Sequence, residues 1–291
     1  SLQKYQTIII LGAPRSGTNM LRDAICRLPG FSTWPCDELN PLWRTGNTCY
    51  PSDAIPISQL SPRIEHRIRS AFDRQARSHQ CDVLVEKTCA NCLRPQFVRK
   101  CFPNAKFLQI VRNVVDTTSS TVGRWNAPSD YRYLLQKARF VPLRDLPRTV
   151  ARAAIRRICR GGAPQARPWG PVLSADVLPA GALLSESAYA ALQWMECVRR
   201  TDEMLAELPA TQSCTIKYEQ FVVDPAPALI AAMAQLNFNV DSADVDVATG
   251  PVHRRSVGRG QGMMDAQTQS ILETHAANIM HRHGYKLDVE D

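Results

Sequence analysis

The stretch Leu11-Gly12-Ala13-Pro14-Arg15-Ser16-Gly17-Thr18-Asn19-Met20 constrains this chain more than any other. The run Thr7-Ile8-Ile9-Ile10-Leu11 leads into it and predicts a buried parallel strand. Met20 to Cys26 follows with a helical pattern. A strand, a glycine-bearing loop and a helix start together make an anion cradle. Successive backbone N–H groups point into such a loop, and the helix dipole adds partial positive charge. Gly12 and Gly17 let the backbone come close to a phosphate-like group.

The loop departs from the nucleoside-triphosphate pattern Gly-x-x-x-x-Gly-Lys-Ser/Thr. The Gly12–Gly17 spacing fits, but Thr18 and Asn19 stand where Lys and Ser/Thr belong, and the cation lies inside the loop at Arg15. A kinase needs that Lys for the β/γ-phosphates and that hydroxyl for Mg²⁺. A tight strand–helix turn with no ligand is the bland alternative, and a second segment argues against it. Lys106 to Val111 reads as a strand, Arg112-Asn113 ends it, and Val114 to Arg124 reads as a helix. Arg112 is then at the carboxyl end of a strand, where open α/β sheets bind ligands. Ser120 follows eight residues later, about two helical turns. An arginine fork and a hydroxyl suit a phosphate monoester.

Pro14-Arg15-Ser16-Gly17-Thr18 resembles the 5′-phosphosulfate loop of sulfotransferases that use 3′-phosphoadenosine 5′-phosphosulfate (PAPS). The arginine form is similar to the branch of bacterial, Golgi carbohydrate and tyrosyl-protein enzymes. Arg112 and Ser120 resemble that family's 3′-phosphate site. Val85-Glu86-Lys87-Thr88 resembles its "Glu-Lys-Thr-Pro" or "Asn-Lys-Asp-Pro" stretch, with Cys89 in place of Pro. Ile216 to Phe221 with Asp224-Pro225 resembles its "Tyr-Glu-x-Leu…Pro" strand-to-helix segment. His253 to Arg259, before a helix ending at Gly284-Tyr285, resembles its cofactor-closing loop and last helix. The resemblance covers residues 7–125 and 210–287.

This resemblance implies an α/β fold with a P-loop-like parallel β-sheet flanked by helices. It implies one domain over 1–291, with a mainly helical or irregular insertion at 126–187 on the acceptor side. It implies PAPS as donor, adenosine 3′,5′-bisphosphate as product, and no metal. Arg15, Ser16, Gly17, Thr18 and Asn19 would hold the 5′-phosphosulfate, and Arg112 and Ser120 the 3′-phosphate. Gly258 and a cation among Arg254, Arg255 and Arg259 would close on that phosphate. Arg15 and Lys87 would stabilise charge growing on the leaving oxygen. A hydroxyl acceptor needs a base, and Glu38, Glu86 and Asp37 compete. Glu38, 23 residues after Arg15, resembles the catalytic glutamate of tyrosyl-protein and some bacterial enzymes. Glu86 and Lys87 are adjacent on a strand, so their side chains take opposite faces. His253 is a weaker candidate, and Tyr218 is expected to pack.

The remaining sequence bounds this reading. No apolar run approaches the roughly 20 residues of a membrane span, and Ser1-Leu2-Gln3-Lys4 is no signal peptide. With no Asn-x-Ser/Thr acceptor, the expectation is a cytoplasmic protein. Cys89 and Cys92 form a C-x-x-C, but Cys81 and Cys101 make no second zinc-spaced pair, so buried thiols are expected. The net charge of +8 gathers at 139–167. Arg148, Arg152, Arg156 and Arg160 would line one face of a helix over 147–160. That face suits solvent, an acidic acceptor or a membrane surface. Nucleic acid is not expected, because no aromatic platform or known motif accompanies it.

Two other classes compete. A nucleotide kinase-like enzyme needs the missing loop Lys and a Mg²⁺ carboxylate. A non-enzymatic polyanion- or membrane-binding protein would keep the basic helix without Lys87 and Glu38. The acceptor stays open among glycan, lipid-linked glycan, tyrosine and small alcohol. Strands are expected at 6–11, 82–86, 106–111 and 213–218. Helices are expected at 17–28, 62–79, 92–101, 114–124, 147–160, 186–208, 225–236 and 265–283, with 30–61 a loop over the site.

Overall fold

The computed structural model describes residues 5–125, 170–179, 183–254, 258 and 264–286. Five strands form one parallel sheet: β1 (Gln6–Leu11), β2 (Phe31–Thr33), β3 (Val83–Lys87), β4 (Lys106–Val111) and β5 (Ser213–Lys217), in the order β2-β3-β1-β4-β5. Alternate side chains of β1 serve two cores. Ile9 and Leu11 pack on one face with Phe72, Phe97 and Trp194, and Ile8 and Ile10 pack on the other with Leu21, Ile25 and Phe221. Burial on both faces explains why this strand reads as a continuous apolar run.

The helices are α1 (Thr18–Ile25), α2 (Asn40–Trp43), α3 (Pro62–His79), α4 (Pro95–Cys101), α5 (Val114–Trp125), α6 (Glu186–Leu205), α7 (Tyr218–Val223), α8 (Pro225–Gln235), α9 (Ser242–Thr249), α10 (Ala266–Ile271) and α11 (Ala277–Arg282). Ser61 caps α3 by accepting from the Ile64 N–H, and Pro62 opens it with φ already helical. Ser185 caps α6 in the same way through the Ala188 N–H.

After β1 the chain runs to β2 and β3 on one side, and β4 returns on the other. The strand order therefore reverses between β1 and β4, and the crevice outside their carboxyl ends is where such sheets bind ligands. Leu11 is level with Gln109 in that register, so the 12–17 loop and Arg112 emerge side by side.

Several expected elements change form. The helix expected over 92–101 is a 3-10 turn (Cys89–Leu93) followed by α4, because Pro95 forces Arg94 out of the helical region (φ −133°, ψ 43°). The helix expected over 265–283 contains a π-helical turn, Leu272–Ala276. The strand expected to reach Tyr218 stops at Lys217, and α7 starts on the tyrosine. The 30–61 loop contains the edge strand β2 and the short α2, each too brief to show a period. The helix expected over 147–160, with Arg148, Arg152, Arg156 and Arg160, lies outside the described residues, as does most of the 126–187 insertion.

Candidate active site

The loop after β1 is held by tight packing. Gly17 has φ +89°, and a Cβ there would come within 2.4 Å of the Tyr218 ring. A Cβ on Gly12 would meet Thr18 at 2.6 Å and Ile110 at 2.9 Å. Both glycines are thus required by the close approach of backbone to neighbours. Arg15 also takes a left-handed conformation (φ 66°), rare for a residue with a side chain and a mark of functional strain. Gly17 caps α1 with no side-chain hydrogen bond, so the first-turn N–H groups are not satisfied by a capping side chain. The Ser16 hydroxyl is fully buried and finds no hydrogen-bond partner among the described residues. A nest of N–H groups and an orphaned buried hydroxyl at a helix start fit a phosphosulfate-like anion. Thr18 is buried with its hydroxyl 3.8 Å from the Cys89 thiol, and Asn19 is exposed.

Arg112 and Ser120 come to the same loop. The Arg112 Nη1 donates to the Arg15 carbonyl at 3.0 Å, and the Arg15 Nε donates to the Ser120 hydroxyl at 3.0 Å. The Arg112 guanidinium lies 4.6 Å from the Tyr218 ring centroid and 3.5 Å from Asp116, one helical turn on. Tyr218 therefore packs between Gly17 and Arg112, as the sequence suggested. Burial lowers the Arg15 pKa, and Arg112 and Arg124 lower it further; such crowding of like charge favours an anion among them. The Gly258 N–H donates to Asp116 at 2.8 Å, which brings the 253–259 segment to α5. Arg255 and Arg259 lie outside the described residues. Arg254 donates to the Val222 and Val223 carbonyls at the end of α7.

On the strand beside β1, Lys87 closes β3, level with Ile10 at the last pair of the shared register. Its ammonium stands 3.5 Å from Glu38, and both side chains are nearly buried, 3% and 11% exposed. The Cys89 N–H also donates to Glu38, at 3.4 Å. Burial alone would lower the Lys87 pKa, but Glu38, with smaller contributions from Cys89 and Asp37, outweighs it and the net direction is upward. Lys87 is thus held as a cation with a carboxylate at its side. Asp37 pairs with Arg22 of α1 at 3.1 Å.

Glu86 has a different setting. It shares a face with Leu84 and is completely buried, while Lys87 shares the other face with Val83 and Val85. Its two oxygens accept from the Thr88 hydroxyl at 2.5 Å and the Asn91 amide at 3.1 Å. Burial pushes its pKa up to about 7. His253 is exposed.

Sequence reasoning missed the residues that fix Arg112. The Asn113 N–H donates to Glu219 at 2.9 Å. The Tyr285 hydroxyl donates to the other Glu219 oxygen at 2.6 Å and lies 3.2 Å from the Val111 carbonyl. The Trp194 indole donates to the Arg112 carbonyl at 3.0 Å. Both peptides around Arg112 are therefore pinned from Tyr285 just after α11, from α6 and from α7. The only signal for this was the polar pair Tyr218-Glu219 directly after a strand. Nine cysteines lie among the described residues, none of them in a disulfide, with Cys89, Cys92 and Cys101 buried. The Gly12 N–H donates to the Cys92 sulfur at 3.0 Å. Among the described residues no cluster of three or more His, Cys, Asp or Glu could hold a metal, and no helix is long and apolar enough to cross a membrane.

Solved structures share this architecture. A sulfotransferase domain from the curacin biosynthetic pathway is 16% identical, with a TM-score of 0.53 over 97% of this chain and 99% of that one. A sulfotransferase from Mycobacterium avium is 11% identical, with a TM-score of 0.57 over 98% of this chain and 78% of its own. A mouse sulfotransferase complexed with PAP is 15% identical, with a TM-score of 0.50 over 97% and 88%. At such identities the likeness establishes the fold. No curated protein matches the chain. The sequence profile of the sulfotransferase family matches residues 7–157, more than half of the chain, from the second residue of β1 through α5. The chain belongs to the sulfotransferase family.

Proposed function

We propose that the protein transfers a sulfuryl group from PAPS to an acceptor hydroxyl. The observation that carries this reading is the pairing of two unlike walls at one sheet end. Arg15, Ser120 and Arg112 form a hydrogen-bonded cationic cluster, and Lys87 stands against Glu38 across the cradle. The loop's own fit to a phosphosulfate, above all the buried Ser16 hydroxyl, supports the donor, as does the bound PAP in the mouse relative's structure.

In this reading the Ser16 hydroxyl and the N–H groups of Gly17, Thr18 and Asn19 bind the 5′-phosphosulfate, and Arg112 and Ser120 bind the 3′-phosphate. The donor supplies an activated sulfuryl group. Lys87 and Arg15 stabilise negative charge on the phosphate oxygen as its bond to sulfur breaks. Glu38 accepts the acceptor's hydroxyl proton as the new sulfur–oxygen bond forms. Asp37 is tied to Arg22 and Glu86 is enclosed, so Glu38 is the carboxylate suited to this proton. The acceptor is sought among glycans, lipid-linked glycans, tyrosine peptides and small alcohols.

The test is calorimetric titration with adenosine 3′,5′-bisphosphate without metal, against ATP–Mg²⁺. Micromolar binding of the bisphosphate, with ATP–Mg²⁺ much weaker, is expected. The reverse preference, or no bisphosphate binding, overturns the reading.

A further inference from the structure

Four consecutive residues around Glu38 are each tied to a different part of the molecule. Asp37 pairs with Arg22 of α1, and Glu38 with Lys87 at the end of β3. The Leu39 N–H donates to the Thr88 hydroxyl at 2.8 Å, and the Asn40 side-chain oxygen accepts from the Arg94 guanidinium at 2.5 Å. The last two ties trace back to one group. The Thr88 hydroxyl, while accepting from Leu39, donates to Glu86. Arg94 donates through Nε to the Asn91 side-chain oxygen at 3.0 Å, and the Asn91 amide donates to the other Glu86 oxygen. Two hydrogen-bond chains thus leave a single buried carboxylate and arrive on the two residues directly after Glu38.

We propose that Glu86 is a positioning residue, which through Thr88 and through Asn91 and Arg94 fixes the segment carrying Glu38. The members of both chains, Glu86, Thr88, Asn91 and Arg94, are at most 2% exposed. Water therefore does not substitute for a lost partner, and each break leaves a buried polar group unsatisfied. The arrangement uses both faces of β3. Lys87 meets Glu38 directly on one face, and from the other Glu86 reaches the Leu39 backbone through Thr88 and the Asn40 side chain through Asn91 and Arg94. A base must be held within a fraction of an ångström of its proton for full effect. A short segment anchored at one residue would not ensure this.

The inference rests on the sulfotransferase reading for its functional consequence but not for its geometry, and the test separates the two. Thr88→Val removes the hydroxyl at nearly constant volume, Thr88→Ser keeps it, and Asn91→Ala cuts the other chain with Thr88 intact. Each variant is measured by hydrogen exchange over residues 36–42. Each is also titrated with adenosine 3′,5′-bisphosphate and assayed for sulfate release from PAPS with water as acceptor. For Thr88→Val the expected exchange in 36–42 is about 10-fold faster. Turnover should fall about 10-fold with the KM for PAPS and the bisphosphate affinity unchanged. Asn91→Ala should show the same pattern more weakly, and Thr88→Ser should match the wild type. Wild-type exchange in 36–42 for both Thr88→Val and Asn91→Ala overturns the positioning role. So does a loss of bisphosphate affinity equal to the loss of turnover. If the unmodified protein itself fails to bind bisphosphate, the sulfotransferase reading falls, while the exchange arm still decides the positioning role.

Discussion

The two walls of the site are built by opposite means. The loop wall, Gly12 to Asn19 with Arg112 and Ser120, is contiguous backbone shaped by glycine packing against Tyr218 and Ile110 and crowded with positive charge. The Glu38 wall is assembled from two distant stretches, residues 37–40 and 86–94, by buried side-chain hydrogen bonds, with a carboxylate at its centre. Backbone N–H groups and arginines suit holding an anion of fixed shape. A side-chain network suits placing one proton acceptor. The difference teaches that binding and chemistry are separable here: damage to the first wall should appear in affinity, and damage to the second in turnover.

The largest expected effects are on chemistry. Lys87→Ala should lower turnover by about 10²–10³-fold, and Glu38→Gln by about 10²–10⁴-fold. Glu38→Gln should keep bisphosphate affinity within a few-fold, whereas Lys87→Ala should also weaken it, because the bisphosphate carries the oxygen whose charge Lys87 stabilises; initial rates of sulfate release from PAPS and calorimetry read both. Parallel losses in rate and affinity in Glu38→Gln would merge the two walls into one. The converse variant, Arg112→Ala, should weaken bisphosphate binding by about 10–100-fold, the value of hydrogen bonds to a charged group. Its turnover at saturating donor should change much less.

Gly17→Ala sharpens the comparison from the structural side. It puts a Cβ 2.4 Å from the Tyr218 ring at φ +89°, a strain of about 1–3 kcal/mol, seen as a lower Tm together with weakened bisphosphate binding. An unchanged Tm would mean that the loop is not shaped by this contact.

The smallest effect is a pH dependence in the Glu38 wall. Burial raises the Glu86 pKa to about 7 in the folded state, from an ordinary 4.5. Between those values the folded protein keeps a proton that the unfolded chain has released. Glu86 therefore makes stability fall as pH rises through that window, by at most one proton's slope. Asp53 acts in the other direction. Burial would raise its pKa, but Arg94 and Arg44 outweigh this and hold it below the ordinary carboxylate range. Its contribution is present above that range and is lost as pH falls through its lowered pKa. Urea unfolding from pH 4.5 to 8 should show the Glu86 slope in the wild type and its disappearance in Glu86→Gln. An identical pH dependence in both would remove Glu86 as its source.

The loop wall was legible in the sequence because its signals are local. Glycines at fixed spacing, an arginine between them, and an arginine and serine two turns apart each report on a few neighbouring residues. The sheet was legible for the same reason, since β1, β3 and β4 are buried on both faces and read as apolar runs. Glu38 was found only as one of three competing carboxylates. It is proposed over the other two because Arg22 engages Asp37 and β3 turns Glu86 inward. The alternation of a strand anticipated that Glu86 and Lys87 would part. It could not show that Thr88 and Asn91 would cover both Glu86 oxygens, because those bonds join segments about 50 residues from the loop they hold. Pro95 gave its signal, yet a helical pattern over 92–101 concealed the break, and the 3-10 turn it leaves places Asn91 on the carboxylate and Arg94 on Asn91.

The most direct test is metal-free calorimetric titration of adenosine 3′,5′-bisphosphate into the unmodified protein, Glu38→Gln and Arg112→Ala side by side. The account predicts micromolar binding that Glu38→Gln retains and Arg112→Ala weakens by about 10-fold or more. Absence of binding to the unmodified protein, or equal losses in the two variants, would contradict it.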